Sequence, residues 1–303
     1  MPFSEGRWER LQLADLYIVH PDGSGLKNIL VNQDFCGSPK WMGDSRHVVA
    51  YCMTAQQTLA NRIANPGAGN DTRLVSVDMM TGAASEFPAA GVKINPSPLG
   101  QSEIGYIRKD TPDPGVYYLS GRRGPRGPIR TASWSPDGTL VVFHKRVPEL
   151  AMPLRKAFSR NSNYELQIAS GGSHPSFNPS GTQFVTTGFP NGRASPSAIT
   201  VTTLATGVSQ IVYRDNTSNA LAGSWSPDGR KIIFGIGGFA AFFDGFHSEF
   251  LKPGDRIEGG ARVALVNADG TGFQELTGGA CNNAFPSFAP DGKRFVYRLL
   301  PRR

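Results

Sequence analysis

The sequence lacks any long hydrophobic run. No stretch approaches the roughly 18 consecutive apolar residues of a membrane-spanning helix, and the opening residues MPFSEGRWER carry no apolar core of a secretory signal. We therefore expect no membrane span. The chain as written is expected to be cytoplasmic, or extracytoplasmic if a leader has been removed.

Cysteine and charge are also scarce. Three cysteines in 303 residues are too few for a disulfide scaffold, and three readings stay open: a Cys36–Cys52 bond, a Cys36–Cys281 bond, or three small buried residues. Charged residues make up 18% of the chain, and the net charge of +7 is scattered. The densest basic run, GRRGPRGPIR, has no aromatic residues between its arginines, which argues against a nucleic-acid partner.

Turn-forming residues are abundant, with 36 glycines and 23 prolines, and they punctuate an internal repeat. The segments SWSPDGTLVVF (133–143) and SWSPDGRKIIF (224–234) are near copies. Each predicts a strand ending in an aromatic residue, a Pro-Asp-Gly turn and a second strand of alternating apolar residues. A further hairpin precedes each copy, so one repeat supplies the four strands of a propeller blade. The six copies are anchored at Trp41, Ser97, Trp134, Phe177, Trp225 and Phe288.

This motif resembles the repeat of the TolB-like propeller family, over roughly residues 14–298. The resemblance implies a single domain over residues 1–303, an all-β, six-bladed propeller of four-stranded antiparallel blades, closed by pairing of the N- and C-terminal strands. A closed ring leaves no free sheet edge, so a monomer is expected. TolB-like proteins are binding modules, which implies a small-molecule or peptide ligand, or a protein partner.

Long insertions follow the second strand of several repeats and indicate the face that carries function. The insertion at 235–262 is rich in phenylalanine, including Phe242, Phe243 and Phe246. These side chains form either a small core of their own or the wall of an apolar ligand pocket. Within another insertion, residues 151–160 are interpreted as a short helix.

Three of the five histidines fall on the same face. His144, His174 and His247, with Glu249 nearby, supply nitrogen and oxygen ligands suited to manganese, zinc or calcium. Such a site is similar to that of oligogalacturonate lyases of this propeller class, in which the metal binds the uronate carboxylate. Ordinary hydrogen-bonded histidines are the alternative.

An enzymatic alternative to the binding module follows from these residues. One version is a metal-dependent lyase acting on acidic sugars, with His174 as the candidate catalytic residue; another is a cyclase-type catalyst acting on an apolar substrate. Hydrolase chemistry is not supported, because no G-x-S-x-G motif occurs. Basic residues at strand ends, namely Lys93, Arg108 and Arg298, suit a ligand carboxylate, with solvated rim charges as the alternative.

Overall fold

The computed structural model describes residues 15–29, 35–54, 72–100, 102–109, 112–145, 154–159, 165–170, 172–190, 196–237, 260–278 and 281–301. Within these ranges all regular structure is β-strand, as the alternating apolar pattern predicts. No helix in the same ranges is long and apolar enough to cross a membrane.

The described strands number twenty-four and contain two to eight residues each. The first twelve are β1 (Asp15–Val19), β2 (Lys27–Asn28), β3 (Phe35–Trp41), β4 (His47–Met53), β5 (Arg73–Asp78), β6 (Ala84–Phe87), β7 (Lys93–Leu99), β8 (Glu103–Arg108), β9 (Gly115–Tyr118), β10 (Arg123–Arg126), β11 (Ile129–Trp134) and β12 (Leu140–Lys145). The second twelve are β13 (Leu154–Ser159), β14 (Glu165–Ser170), β15 (Ser173–Phe177), β16 (Gln183–Gly188), β17 (Ala198–Thr203), β18 (Ser209–Tyr213), β19 (Asn219–Trp225), β20 (Lys231–Gly237), β21 (Arg262–Asn267), β22 (Gln274–Glu275), β23 (Cys281–Phe288) and β24 (Phe295–Pro301).

These strands form six antiparallel sheets of four strands each. In five of the sheets, four consecutive strands lie side by side, beginning with β3, β7, β11, β15 and β19. The sixth sheet joins the two ends of the chain in the order β2-β1-β24-β23, with Tyr17 opposite Tyr297. The expected pairing of the N- and C-terminal strands is therefore present.

The innermost strands of the sheets are neighbours around a circle. β3, β7, β11, β15, β19 and β23 each contact the innermost strand on either side, and β23 lies beside β3. The sheets therefore surround a common axis, which is the arrangement of a β-propeller. The expectation of an all-β propeller with four-stranded antiparallel blades is confirmed.

The Pro-Asp-Gly turns have the geometry that their residues predict. In the turn after β11, the carboxylate of Asp137 accepts hydrogen bonds from the Ser135 hydroxyl and the Thr139 amide, and Gly138 has φ of 65°. This left-handed conformation favours glycine because a Cβ would crowd the following carbonyl. Hydrogen bonding to the carboxylate lowers the pKa of Asp137 to about 2.

Aromatic anchors fill the space between neighbouring blades. Trp134 is 5% exposed, and its indole Nε1 donates to the Tyr118 hydroxyl at 3.0 Å. A Cβ on Gly105 would lie 2.5 Å from the Trp134 ring, so only glycine lets the indole pack against this strand. Trp225 likewise donates to the carbonyl oxygen of Ser176 at 3.0 Å. Each indole thus ties its blade to the preceding one.

The helix expected at residues 151–160 is wrong. Leu154–Ser159 is instead β13, paired with β12 over six positions, and Glu165–Ser170 is the outermost strand of the same blade. So short a segment cannot sustain a helix alone, whereas the edge of β12 offers hydrogen-bond partners for its backbone. Much of this apparent insertion is therefore the outer hairpin of a blade.

Candidate binding site in the axial cavity

Five of the six innermost strands carry a β-bulge at the same level. The register shifts at Ser38, Asn95, His174, Ala222 and Phe285, whose φ angles lie between 49° and 57°. A shift also occurs in β11, between Ile129 and Thr131. Bulges re-aim side chains. Proline follows the bulged residue in four strands, where the missing N–H costs no ladder bond: Pro39, Pro96, Pro175 and Pro286.

The bulged segments enclose one cavity on the axis. Its volume is about 160 Å³, and each of the six innermost strands contributes three consecutive residues to its wall. The first residues of these triplets form the upper tier: Ser38, Asn95, Thr131, His174, Ala222 and Phe285. The third residues form the serine tier: Lys40, Ser97, Ser133, Ser176, Ser224 and Ser287.

Hydrogen bonds tie the upper tier together from blade to blade. The Ser38 hydroxyl donates to Asn95 Oδ1 at 2.7 Å, and Asn95 Nδ2 donates to the carbonyl oxygen of Arg130 at 2.9 Å. The backbone amide of His174 donates to Thr131 Oγ1 at 3.0 Å. The polar groups are therefore fixed by neighbouring strands, and preorganisation of this kind lowers the entropy cost of binding.

His174 is held neutral at the cavity wall. Burial lowers its pKa to about 3, and electrostatic interactions with His144, Lys40 and Arg130 act in the same direction. Ring atom Nδ1 lies 3.0 Å from the Ser173 hydroxyl. The other predicted histidine on this face, His144, lies in β12 opposite Thr131 and is 8% exposed. The structure therefore brings His144 and His174 into one electrostatic neighbourhood.

Lys40 breaks the pattern of the serine tier. The other five blades have serine at the equivalent position, directly before an aromatic residue or, in β7, before Pro98. Burial lowers the pKa of Lys40 to about 8, and no carboxylate among the described residues counteracts that shift. The pattern of the repeats did not predict this tier. The signal was the lysine in KWMGD where near copies have serine in SWSPD.

The three predicted basic residues lie outside the cavity wall. Lys93 and Arg108 face each other across β7 and β8, and Lys93 is 2% exposed with its ammonium donating to the Ala89 carbonyl oxygen. Arg298 is 4% exposed and lies 4.8 Å from the centre of the Phe285 ring. Arg298 therefore contacts an upper-tier residue without lining the cavity itself.

Several predicted residues lie outside the described part of the chain. These are the phenylalanines and charged residues of the 235–262 insertion: Phe242, Phe243, Phe246, His247 and Glu249. Within the described ranges, no group of three or more His, Cys, Asp or Glu side chains is placed to hold a metal ion.

The cysteines resolve one open alternative. Cys36 and Cys52 lie directly opposite each other on β3 and β4 and form a disulfide. The bond links the innermost strand of the blade that carries Lys40 to its neighbour, so Cys281 is not part of it.

A second concavity opens at the face of the Pro-Asp-Gly turns. Its volume is about 370 Å³, and it shares Ser176 and Ser224 with the axial cavity. Its wall is otherwise formed largely by turn prolines and anchor indoles, including Pro136, Trp134 and Trp225. The serine tier therefore lies between the upper tier and this second concavity.

Comparisons with known proteins place the fold in the TolB-like propeller class. No family model and no curated protein matches the sequence. A protein from Agrobacterium tumefaciens assigned to TolB matches with a TM-score of 0.70 at 14% identity, over 96% of this chain and 99% of that one. TolB from Acinetobacter baumannii matches with a TM-score of 0.58 at 14% identity, over 96% of this chain and 64% of that one.

An oligogalacturonate lyase in complex with manganese is also similar, with a TM-score of 0.51 at 11% identity over 96% of this chain and 97% of that one. Identities this low establish the fold alone, and one propeller fold serves unrelated functions. The chain is thus a TolB-like β-propeller in architecture, and these similarities do not assign it a function.

Proposed function

We propose that this chain is a single-domain, six-bladed propeller that binds a small molecule, or one side chain of a peptide, in the axial cavity. The observation that carries the proposal is the convergence of polar side chains from all six innermost strands on one cavity, with bulges at one level in five of these strands. Ligand sites are concave, largely preformed and equipped with a few convergent polar groups. The wall meets this description with hydroxyls, the Asn95 amide, the His174 ring and the Lys40 ammonium.

The size of the cavity limits what enters it. About 160 Å³ is below the range of roughly 300–1,000 Å³ for drug-sized ligands. A compact molecule or the head group of a larger one fits. In this proposal the insertion at 235–262, with Phe242, Phe243 and Phe246, forms a wall for the remainder of the ligand.

The binding function is favoured over metal-dependent lyase chemistry. A divalent cation beside His144 and His174 would meet the positive charges of Lys40 and Arg130, which already act on His174. Like charges at this range oppose cation binding. The described residues therefore do not fit a metal.

The test introduces a larger side chain into the cavity. Ser97→Leu places an apolar side chain in the serine tier, whereas Ser85→Leu makes the same change on the exposed outer strand β6. A fragment library is screened by ligand-observed NMR against the wild type and both variants. We expect fragments whose binding is lost in Ser97→Leu and kept in Ser85→Leu. Fragments that bind all three proteins equally, or no fragment at all, would contradict the proposal.

A further inference from the structure

The wall of the axial cavity is cationic and contains no carboxylate. Its eighteen described residues include one lysine, one histidine and no aspartate or glutamate. The positive charge of Arg130 also acts on this site, since it contributes to the lowered pKa of His174. A charge in a partly dehydrated cavity is costly unless a counter-charge or hydrogen-bond partners compensate it.

Lys40 is the residue that needs compensation. The other five blades have serine at the equivalent position of the serine tier, so the local backbone does not require a long cationic side chain there. Burial penalises the ammonium, and no described carboxylate pairs with it. Unpaired charges of this kind lower stability and are typical of sites that bind a complementary group.

The serine hydroxyls provide donors around the same space. Ser97, Ser133, Ser176, Ser224 and Ser287 share the tier with Lys40. A hydroxyl rotates to donate its one proton to an acceptor. The Ser133 oxygen accepts from the Phe177 amide at 3.1 Å, which leaves its own proton available. One ammonium and five hydroxyl groups that line the same cavity suit a negatively charged ligand group with several hydrogen-bond acceptors.

We infer that the axial cavity binds a compact oxyanion, a carboxylate or phosphate group, through the Lys40 ammonium and the hydroxyls of the serine tier. The inference rests on the proposed binding function and specifies its ligand class. A metal cation is disfavoured by Lys40 and Arg130, and a neutral sugar would make no use of the charge. Phosphate and carboxylate share the required oxygens and negative charge.

The experiment measures binding of inorganic phosphate, acetate and neutral glycerol by isothermal titration calorimetry, at constant ionic strength set with chloride. The key variant is Lys40→Ser, which gives the sixth blade the residue of the other five. The matched control is Lys231→Ser, on an exposed lysine of β20 outside the cavity wall. Thermal unfolding confirms that both variants fold, and Lys40→Ser is expected to be at least as stable as the wild type.

We expect phosphate or acetate, but not glycerol, to bind the wild type and Lys231→Ser alike. Affinity should fall at least about tenfold in Lys40→Ser, as loss of one charge-assisted hydrogen bond implies. The anion that binds with the higher affinity, phosphate or acetate, identifies the chemical class of the ligand's head group. Unchanged affinity in Lys40→Ser, or no anion binding by the wild type, overturns the inference. Neutral fragments that bind only when Ser97 is intact would then leave the binding function standing, and their absence would remove both proposals.

Discussion

The rings of His174 and Phe285 lie with their centroids 5.7 Å apart, although β15 and β23 belong to blades separated by a third. Both residues line the axial cavity, so the contact narrows it at the upper tier. The His174 ring is neutral here, because burial and the nearby Lys40 and Arg130 lower its pKa to about 3.

The first prediction concerns acid stability. The pKa of His174 is about 3 in the folded protein, against 6.5 for the unperturbed side chain. Between these two pH values the unfolded chain binds a proton at His174 that the folded chain does not bind. Above pH 6.5 the ring is neutral in both states and does not lower the stability. The free energy of unfolding then decreases progressively as the pH falls from 6.5 toward 3. His174→Asn should reduce the slope of unfolding free energy against pH in this window, measured by urea unfolding. Asparagine tolerates the positive φ, as Asn95 shows in another blade.

His20→Asn, on a turn outside the cavity wall, is the control for a general effect of removing a histidine. If both variants change the slope equally, His174 is not the group responsible.

The second prediction concerns the Cys36–Cys52 disulfide, which closes a segment of 16 residues. Cross-linking a loop of this length stabilises a protein by about 3 kcal/mol in the chain-entropy account. The double variant Cys36→Ala/Cys52→Ala should lose a comparable amount in urea unfolding, and Cys281→Ala should retain the disulfide. Mass spectrometry of alkylated, non-reduced protein checks the pairing. Alkylation of both Cys36 and Cys52 without reductant would contradict it.

The sequence predicts the blades better than it predicts the site. The Pro-Asp-Gly turns follow from short-range rules, and the pairing of the terminal strands is what the family resemblance implies, so both appear as expected. The cavity wall depends on bulges, which reverse the facing of the residues that follow. Lys40 could be aligned with serines in other copies, but no pattern showed that this position faces the axis. Lys93 was placed correctly at a strand end, yet its ammonium turns to the Ala89 carbonyl oxygen.

The third prediction concerns the support of the upper tier by Arg298. Its guanidinium lies 4.8 Å from the Phe285 ring, and both residues lie in the terminal blade. A double-mutant cycle of Arg298→Met and Phe285→Leu should give a coupling energy of about 1–2 kcal/mol, since the buried cation–π contact is little screened by solvent. Arg122 over Tyr118, at 4.5 Å with the arginine more exposed, is the comparison pair. Its coupling should be about 0.5 kcal/mol, and equal coupling in both pairs would show that burial does not strengthen the contact.

The fourth prediction uses the repeats as internal controls. In the turns after β11 and β19, the positive φ belongs to Gly138 and Gly229, whereas the equivalent place after β3 is occupied by Ser45 at φ 53°. The three residues make the same turn hydrogen bond, with the amide donating to the carbonyl oxygen three residues earlier. The looser copy has its glycine two positions earlier, at Gly43, which does not have a positive φ.

A side chain in this conformation costs about 1–2 kcal/mol, offset partly by the greater chain entropy that glycine loses on folding. Ser45→Gly should therefore stabilise the protein by about 0.5–1 kcal/mol, and Gly229→Ala should destabilise it by about 1 kcal/mol, because a Cβ there meets only Pro179 at an ordinary 3.7 Å. Gly43→Ala, with no atom closer than 4.0 Å to its Cβ, should be neutral or slightly stabilising. Urea unfolding of the three variants checks the order. Destabilisation by Ser45→Gly would show that contacts of the serine side chain, rather than backbone strain, set the stability of this turn.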